Sequence, residues 1–152
     1  MKKLIKALYV LTLLFVFTSF SQLQGQFGNL YIKGVIDGPI SGGLPKGIQF
    51  CASADITDLS MYGCGSANNG GGTNGEEFTF PAVPLNSGEC FWVASESTQF
   101  TVWFGFAPCY TSSAANINGD DAIELFCSGS VEDLFGDINT DGTGERWEHM
   151  DG

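Results

Sequence analysis

One stretch near the C-terminus has residue types and a spacing that suit calcium. Residues 137–148 read Asp-Ile-Asn-Thr-Asp-Gly-Thr-Gly-Glu-Arg-Trp-Glu. In an EF-hand-type loop, alternate residues direct oxygens inward, a glycine at the sixth position permits the sharp turn, and a glutamate at the twelfth closes the site. No helix is expected on either side, and Gly144 stands where an apolar residue is usual, so a solvated turn is the alternative. The spacing predicts a calcium site whose ligands are Asp137, Asn139, Asp141, Thr143, Glu145 and Glu148.

The remaining acidic and nucleophilic residues do not form a catalytic arrangement. Glu76-Glu77 and Asp120-Asp121 are adjacent pairs. Adjacent residues on a strand point apart, whereas glycosidase chemistry needs two carboxylates across a cleft. A nucleophilic Ser, Thr or Cys needs a base, and the one histidine, His149, is expected in a loose acidic end of the chain. We therefore expect no enzymatic activity from this chain by itself.

Three tryptophans offer a different kind of site. Trp92, Trp103 and Trp147, with nearby tyrosines, could form an aromatic platform for carbohydrate. Trp92 and Trp103, however, lie in runs dense with apolar neighbours. We expect these two to pack in or near the core.

The N-terminus has the pattern of a cleavable secretory signal. Lys2, Lys3 and Lys6 precede an apolar run at 7–20, and Ser19 and Ser21 provide small residues for cleavage after position 21. The apolar run is shorter than the roughly 20 residues of a membrane-spanning helix. We expect a signal peptide at 1–21 and a linker at 22–29. After cleavage we expect a secreted, extracellular protein without a membrane span, or one held at the cell surface.

Cleavage makes an acidic chain more acidic. The full sequence has 6 basic and 17 acidic residues and a formal charge of −11. Because three lysines leave with the signal, three basic residues remain against 17 acidic ones, which gives −14. Nucleic-acid binding depends on Lys and Arg neutralising phosphates, so it is not expected of this chain by itself. Cations are natural partners, although acidity also serves solubility alone.

All five cysteines follow the signal, in a chain expected to meet an oxidising compartment. Two disulfides and one thiol are the simplest expectation, and the sequence does not give the pairing. Without a Cys-x-x-Cys pair, a metal-thiolate site is not favoured. The five are Cys51, Cys64, Cys90, Cys109 and Cys127.

Short β-prone runs separated by glycine-rich turns predict an all-β fold. Phe100, Val102, Phe104 and Phe106 alternate with other residues in the period of two that is typical of a half-buried strand. Such spacing favours a single antiparallel β-sandwich or barrel. The expected strands are 30–36, 48–52, 78–83, 90–95, 100–106, 122–127 and 131–135.

Three sequence runs resemble a known family. They are 55–60 (Asp-Ile-Thr-Asp-Leu-Ser), 63–72 (Gly-Cys-Gly-Ser-Ala-Asn-Asn-Gly-Gly-Gly) and 118–126 (Asn-Gly-Asp-Asp-Ala-Ile-Glu-Leu-Phe). Together they resemble the bacterial lamin-tail-type module (lamin tail domain, LTD) of secreted proteins, over about 30–152. Gln49 departs from the family's usual glutamate, the cysteines are not part of the family pattern, and relatives typically continue past the position where this chain ends.

The resemblance implies an immunoglobulin-like antiparallel β-sandwich at 30–152. If this domain follows its relatives, it is truncated at its C-terminus. It also implies attachment to a surface, a polysaccharide or another protein rather than catalysis. The alternative is a fragment of a larger secreted nuclease or phosphoesterase, in which this domain positions the catalytic part.

Overall fold

The computed structural model describes residues 28–143. The predicted signal peptide, most of the linker and the part of the predicted domain after residue 143 lie outside this range. Within it, two four-stranded sheets pack around a common apolar core, so the expected all-β sandwich is confirmed.

The two sheets have the strand orders β1-β2-β5-β6 and β4-β3-β7-β8. Neighbours are antiparallel except β5 and β6, which run parallel. Two parallel strands must be joined by a crossover connection, and the connection from β5 to β6 contains helix α1 (Thr98–Phe104). The strands are β1 (Leu30–Ile40), β2 (Leu44–Ala52), β3 (Tyr62–Ala67), β4 (Phe78–Thr79), β5 (Cys90–Ala94), β6 (Tyr110–Thr111), β7 (Ala122–Cys127) and β8 (Ser130–Phe135).

Aromatic rings fill the centre of the core. Phe50 on β2 lies 5.1 Å from Phe80 and 5.4 Å from Phe91, measured between ring centroids, and the last two are 5.0 Å apart. The edge-to-face packing of Phe80 and Phe91 suits the charge distribution of the rings. All three side chains are almost fully buried. They join the two sheets into one body.

The expected strand at 100–106 is wrong, because this segment forms helix α1. The Glu96 carboxylate accepts hydrogen bonds from the backbone N–H groups of Gln99 (2.9 Å) and Phe100 (3.1 Å), which otherwise have no partner at a helix start. Gly105 ends the helix with φ +78°. The alternating apolar residues therefore point in several directions rather than to one face of a sheet.

Other differences concern strands, of which β1 and β2 are each four residues longer than expected. The sequence did not indicate β3 or β6. The strand expected at 78–83 is confirmed only over Phe78–Thr79. Pro81 follows and lacks the N–H that a ladder needs, and its carbonyl accepts a hydrogen bond from Val83 N at 2.8 Å, which makes a turn.

The expectation of two disulfides is also wrong: Cys51 and Cys90 form the one bridge among the five cysteines. These two residues are direct register partners on β2 and β5. Cys64 and Cys127 are buried on adjacent strands but are two positions out of register, since Cys64 faces Leu125. Cys109 is exposed. Strand register therefore leaves three thiols unpaired.

A buried lysine ties the β1–β2 hairpin to the loop before β7. The Lys46 ammonium donates to Asn118 Oδ1 (3.0 Å) and to the Ile117 carbonyl, and lies 3.4 Å from Asp37 Oδ1. A buried charge is costly unless it has such partners. These contacts hold the β1–β2 hairpin and the loop before β7 together at one end of the sandwich.

Candidate functional site

The predicted calcium loop begins directly after β8 and folds through its own hydrogen bonds. Asp137 Oδ1 accepts from Asn139 N (2.9 Å) and Oδ2 from Thr140 Oγ1 (2.8 Å), while Asp141 Oδ1 accepts from Thr143 N (3.0 Å). These hydrogen bonds lower the pKa of both carboxyl groups, the largest cause being the Asn139 N–H at Asp137 and the Thr143 hydroxyl at Asp141.

The loop packs against two other loops. Gly72 N donates to the Ile138 carbonyl (2.8 Å), and Thr143 Oγ1 donates to Asp120 Oδ2 (2.8 Å). The second oxygen, Asp120 Oδ1, is buried and has no hydrogen-bond partner among the described residues. Asp120 is thus a neighbour of the predicted loop that the spacing argument did not include.

The structure describes four of the six predicted ligands, namely Asp137, Asn139, Asp141 and Thr143. Glu145 and Glu148 lie outside the described residues. Within residues 28–143, no group of three or more His, Cys, Asp or Glu side chains is placed to hold a metal ion. Calcium binding at this loop stays a prediction.

The adjacent acid pairs are bonded to backbone and hydroxyl groups. Glu77 Oε2 accepts from Ser66 N (2.8 Å) and Ser66 Oγ (3.0 Å), and Glu76 accepts from the Thr79 hydroxyl. Asp121 Oδ2 accepts from Asn118 N at 2.8 Å. These carboxylates fasten loops to the second sheet.

The three thiols have different surroundings. Burial, followed by the charges of Glu77 and Glu76, raises the pKa of Cys64 to about 12. Burial also raises the pKa of Cys127. Cys109, by contrast, is exposed and lines an open groove of about 340 Å³ beside Leu85, Phe91 and Tyr110. No histidine lies within the described range, and the Glu89 carboxylate that also lines the groove accepts hydrogen bonds from the Asn86 backbone and side-chain amides.

Helix α1 is fixed to the outer face of the first sheet by aromatic packing. The ring of Phe100 is fully buried and lies 5.5 Å from Trp92 on β5 and 4.5 Å from Phe104, one helical turn later. Gly47 on β2 makes room for it, since a Cβ there would lie 3.2 Å from the Phe100 ring. The helix is therefore anchored on one side by rings that lie against a sheet.

Exposed apolar residues lie at the end of helix α1, and we call them the exposed face of helix α1: Val102 and Trp103 within the helix, and Phe106 two residues after its last residue. Their side chains are 75%, 50% and 50% exposed. The expectation that Trp103 packs in the core is wrong, because the helix turns it toward solvent, whereas Trp92 is partly buried against the helix as expected. Grouped exposed apolar residues mark interaction surfaces more often than single ones do.

Sequence signals for this helix were present. Phe100 and Phe104 are four residues apart, which is the spacing of neighbours on a helix face, and Gly105 followed by Pro108 is a typical helix end. The exposure of Trp103 does not follow from spacing alone, since residues three apart, like Phe100 and Trp103, can share a helix face.

Comparison with protein-family models, with curated proteins and with solved structures finds no match in any of the three. The class that the fold defines is an all-β sandwich stapled by one disulfide. In the described part of the chain, no helix is long and apolar enough to cross a membrane.

Proposed function

We propose that the protein is an exported, non-catalytic attachment module of lamin-tail type that binds its target through the exposed face of helix α1. One observation carries the proposal: Val102, Trp103 and Phe106 are exposed to solvent in and directly after a helix that the buried Phe100 ring anchors to the sheet. Binding residues are commonly carried on connecting segments held by a rigid scaffold. Tryptophan and phenylalanine are also enriched at binding surfaces.

Export is supported by the signal-like N-terminus, and the Cys51–Cys90 bridge is compatible with it. The lamin-tail assignment is supported by the three sequence runs and by the sandwich architecture. Attachment, rather than chemistry, is supported because the acidic pairs are held by backbone and hydroxyl groups and fasten loops to the second sheet.

A retention assay tests the proposal. Mature protein is incubated with microcrystalline cellulose, bacterial peptidoglycan sacculi, phosphatidylcholine vesicles and gelatin-coated beads, and the bound fraction is measured after centrifugation. The double variant Trp103→Ala/Phe106→Ala should lose about tenfold in affinity on the surface that retains the wild type, since ~1.4 kcal/mol corresponds to tenfold and burial of one large apolar side chain supplies that much.

The matched control is Val131→Ser/Leu134→Ser, which removes two apolar side chains of similar exposure (51% and 44%) from β8 in the other sheet. It should bind as the wild type does. Retention that the helix variant leaves intact, or no retention on any of the four surfaces, would contradict the proposal. Thermal melting of each variant checks that it is folded.

A further inference from the structure

Helix α1 presents rings that are already held in place. Phe106 contacts Phe100 and Phe104, with both centroid distances 5.8 Å, and Phe104 lies 5.4 Å from Trp92. The ring system is continuous from the sheet to the exposed Phe106. A preformed apolar surface loses little side-chain freedom when a ligand lies on it. Trp103, on the helix itself, is a further half-exposed ring.

The polar groups around these rings are neutral donors and acceptors. Gln99 lies one helical turn before Trp103, on the same side of the helix. Within the described residues, neither the Gln99 amide nor the Trp103 indole N–H has a hydrogen-bond partner, whereas the Gln99 backbone N–H is bonded to Glu96. Aromatic faces next to a free amide and a free indole N–H suit a ligand that is both ring-shaped and hydroxylated.

Charge narrows the class of ligand. No Asp, Glu, Lys or Arg occurs between Glu96 and Asp120, and the Glu96 carboxylate is occupied at the helix start. The whole chain, in contrast, has a formal charge of −11. Phosphate-rich ligands and anionic membranes find no cation in this segment of the chain, and the net negative charge opposes the approach of a second copy. A neutral partner meets no such penalty.

From these observations we infer that the exposed face of helix α1 binds a neutral polysaccharide. The weakly positive C–H groups on one face of a pyranose lie against the negative faces of Trp103 and Phe106, and its hydroxyls exchange hydrogen bonds with the Gln99 amide and the Trp103 indole N–H. This inference rests on the proposed attachment function and names the ligand class of the same surface.

Native affinity electrophoresis tests it. Mature protein is run through gels containing galactomannan, xyloglucan, hydroxyethyl cellulose or dextran, with polygalacturonate as the charged counterpart. We expect retardation by at least one neutral polymer and none by polygalacturonate. Trp103→Ala should weaken the retardation at least tenfold. Trp103→Phe, which keeps a ring but removes the N–H, and Gln99→Ala should each weaken it severalfold. Val131→Ser/Leu134→Ser should leave it unchanged.

The outcomes distinguish a failure of the polysaccharide inference from a failure of the proposed attachment function. If vesicles or gelatin beads retain the protein through Trp103 and Phe106 while no neutral polymer retards it, the polysaccharide inference is overturned and the attachment function stands. If the helix variants change neither retention nor retardation, both the polysaccharide inference and the proposed attachment function are overturned. Retardation that is equal for wild type and Trp103→Ala overturns the inference as well, because the sugar would then bind elsewhere.

Discussion

At the scale of single residues, the surroundings of the three thiols predict different reactivities. Cys64 needs a pH near 12 to ionise and Cys127 is buried, whereas Cys109 is exposed. Only the thiolate is nucleophilic. At pH 8 a disulfide reagent should therefore modify one thiol per native chain and three after denaturation. Cys109→Ser should abolish the native reaction, and a native count of two or more would contradict the described burial.

A glycine under the loop before β4 gives a second prediction at this scale. A Cβ on Gly65 would collide with the carbonyl of Gly75, which crosses directly above β3. Gly65→Ala should therefore lower the free energy of unfolding by about 1–3 kcal/mol, the usual cost of overpacking. Gly34→Ala is the control, since a Cβ there meets nothing within 4 Å. Urea denaturation measures both, and equal midpoints would refute the close contact.

At the scale of elements, the sequence predicted strands well where nearly every residue of a short run is apolar. The strands around Ile48–Ala52 and Ala122–Cys127 were expected and are present. The tight Ser128-Gly129 turn falls between the expected strands 122–127 and 131–135, and both residues have the positive φ that a hairpin turn requires. Local signals suffice for such elements.

Two elements were not predicted from the sequence, and the reasons are physical. Strand β3 contains Gly63 and Gly65, which lower strand propensity, and they are explained only by the loop that passes over them. Helix α1 has the alternation of a strand as well as the spacing and end signals of a helix, and its contact with Gly47 and Trp92 on the sheet decides between the two. The candidate binding surface was therefore the part of the molecule least readable from sequence, although its aromatic residues had been noted.

Helix α1 should depend on one anchor. Phe100→Ala removes a fully buried ring and should lower the free energy of unfolding by ~3–5 kcal/mol. On the same helix, Val102→Ala should change it by less than about 0.5 kcal/mol, because Val102 is 75% exposed. Denaturant titration of both variants measures the difference. Similar values for the two would show that the helix is not anchored through Phe100.

At the scale of the whole molecule, acidity and the C-terminal loop predict a response to calcium. If the 137–148 loop binds calcium only in the native state, a concentration of 100 times the Kd adds ~2.7 kcal/mol of stability and raises the Tm by several degrees. Magnesium should do this weakly, since it demands a tighter geometry. Differential scanning calorimetry checks it. No shift of the Tm at millimolar calcium, or the same shift in Asp137→Ala/Asp141→Ala, would show that this loop is not a calcium site.

The central claim is that the molecule binds its target through helix α1. Hydrogen–deuterium exchange of the mature chain, free and bound to the surface that retains it best, tests this most directly. We predict slower exchange in peptides covering residues 98–106 and unchanged exchange in peptides covering β8. Protection confined to β8 or to the 137–143 loop, with residues 98–106 unchanged in the bound state, would contradict the claim.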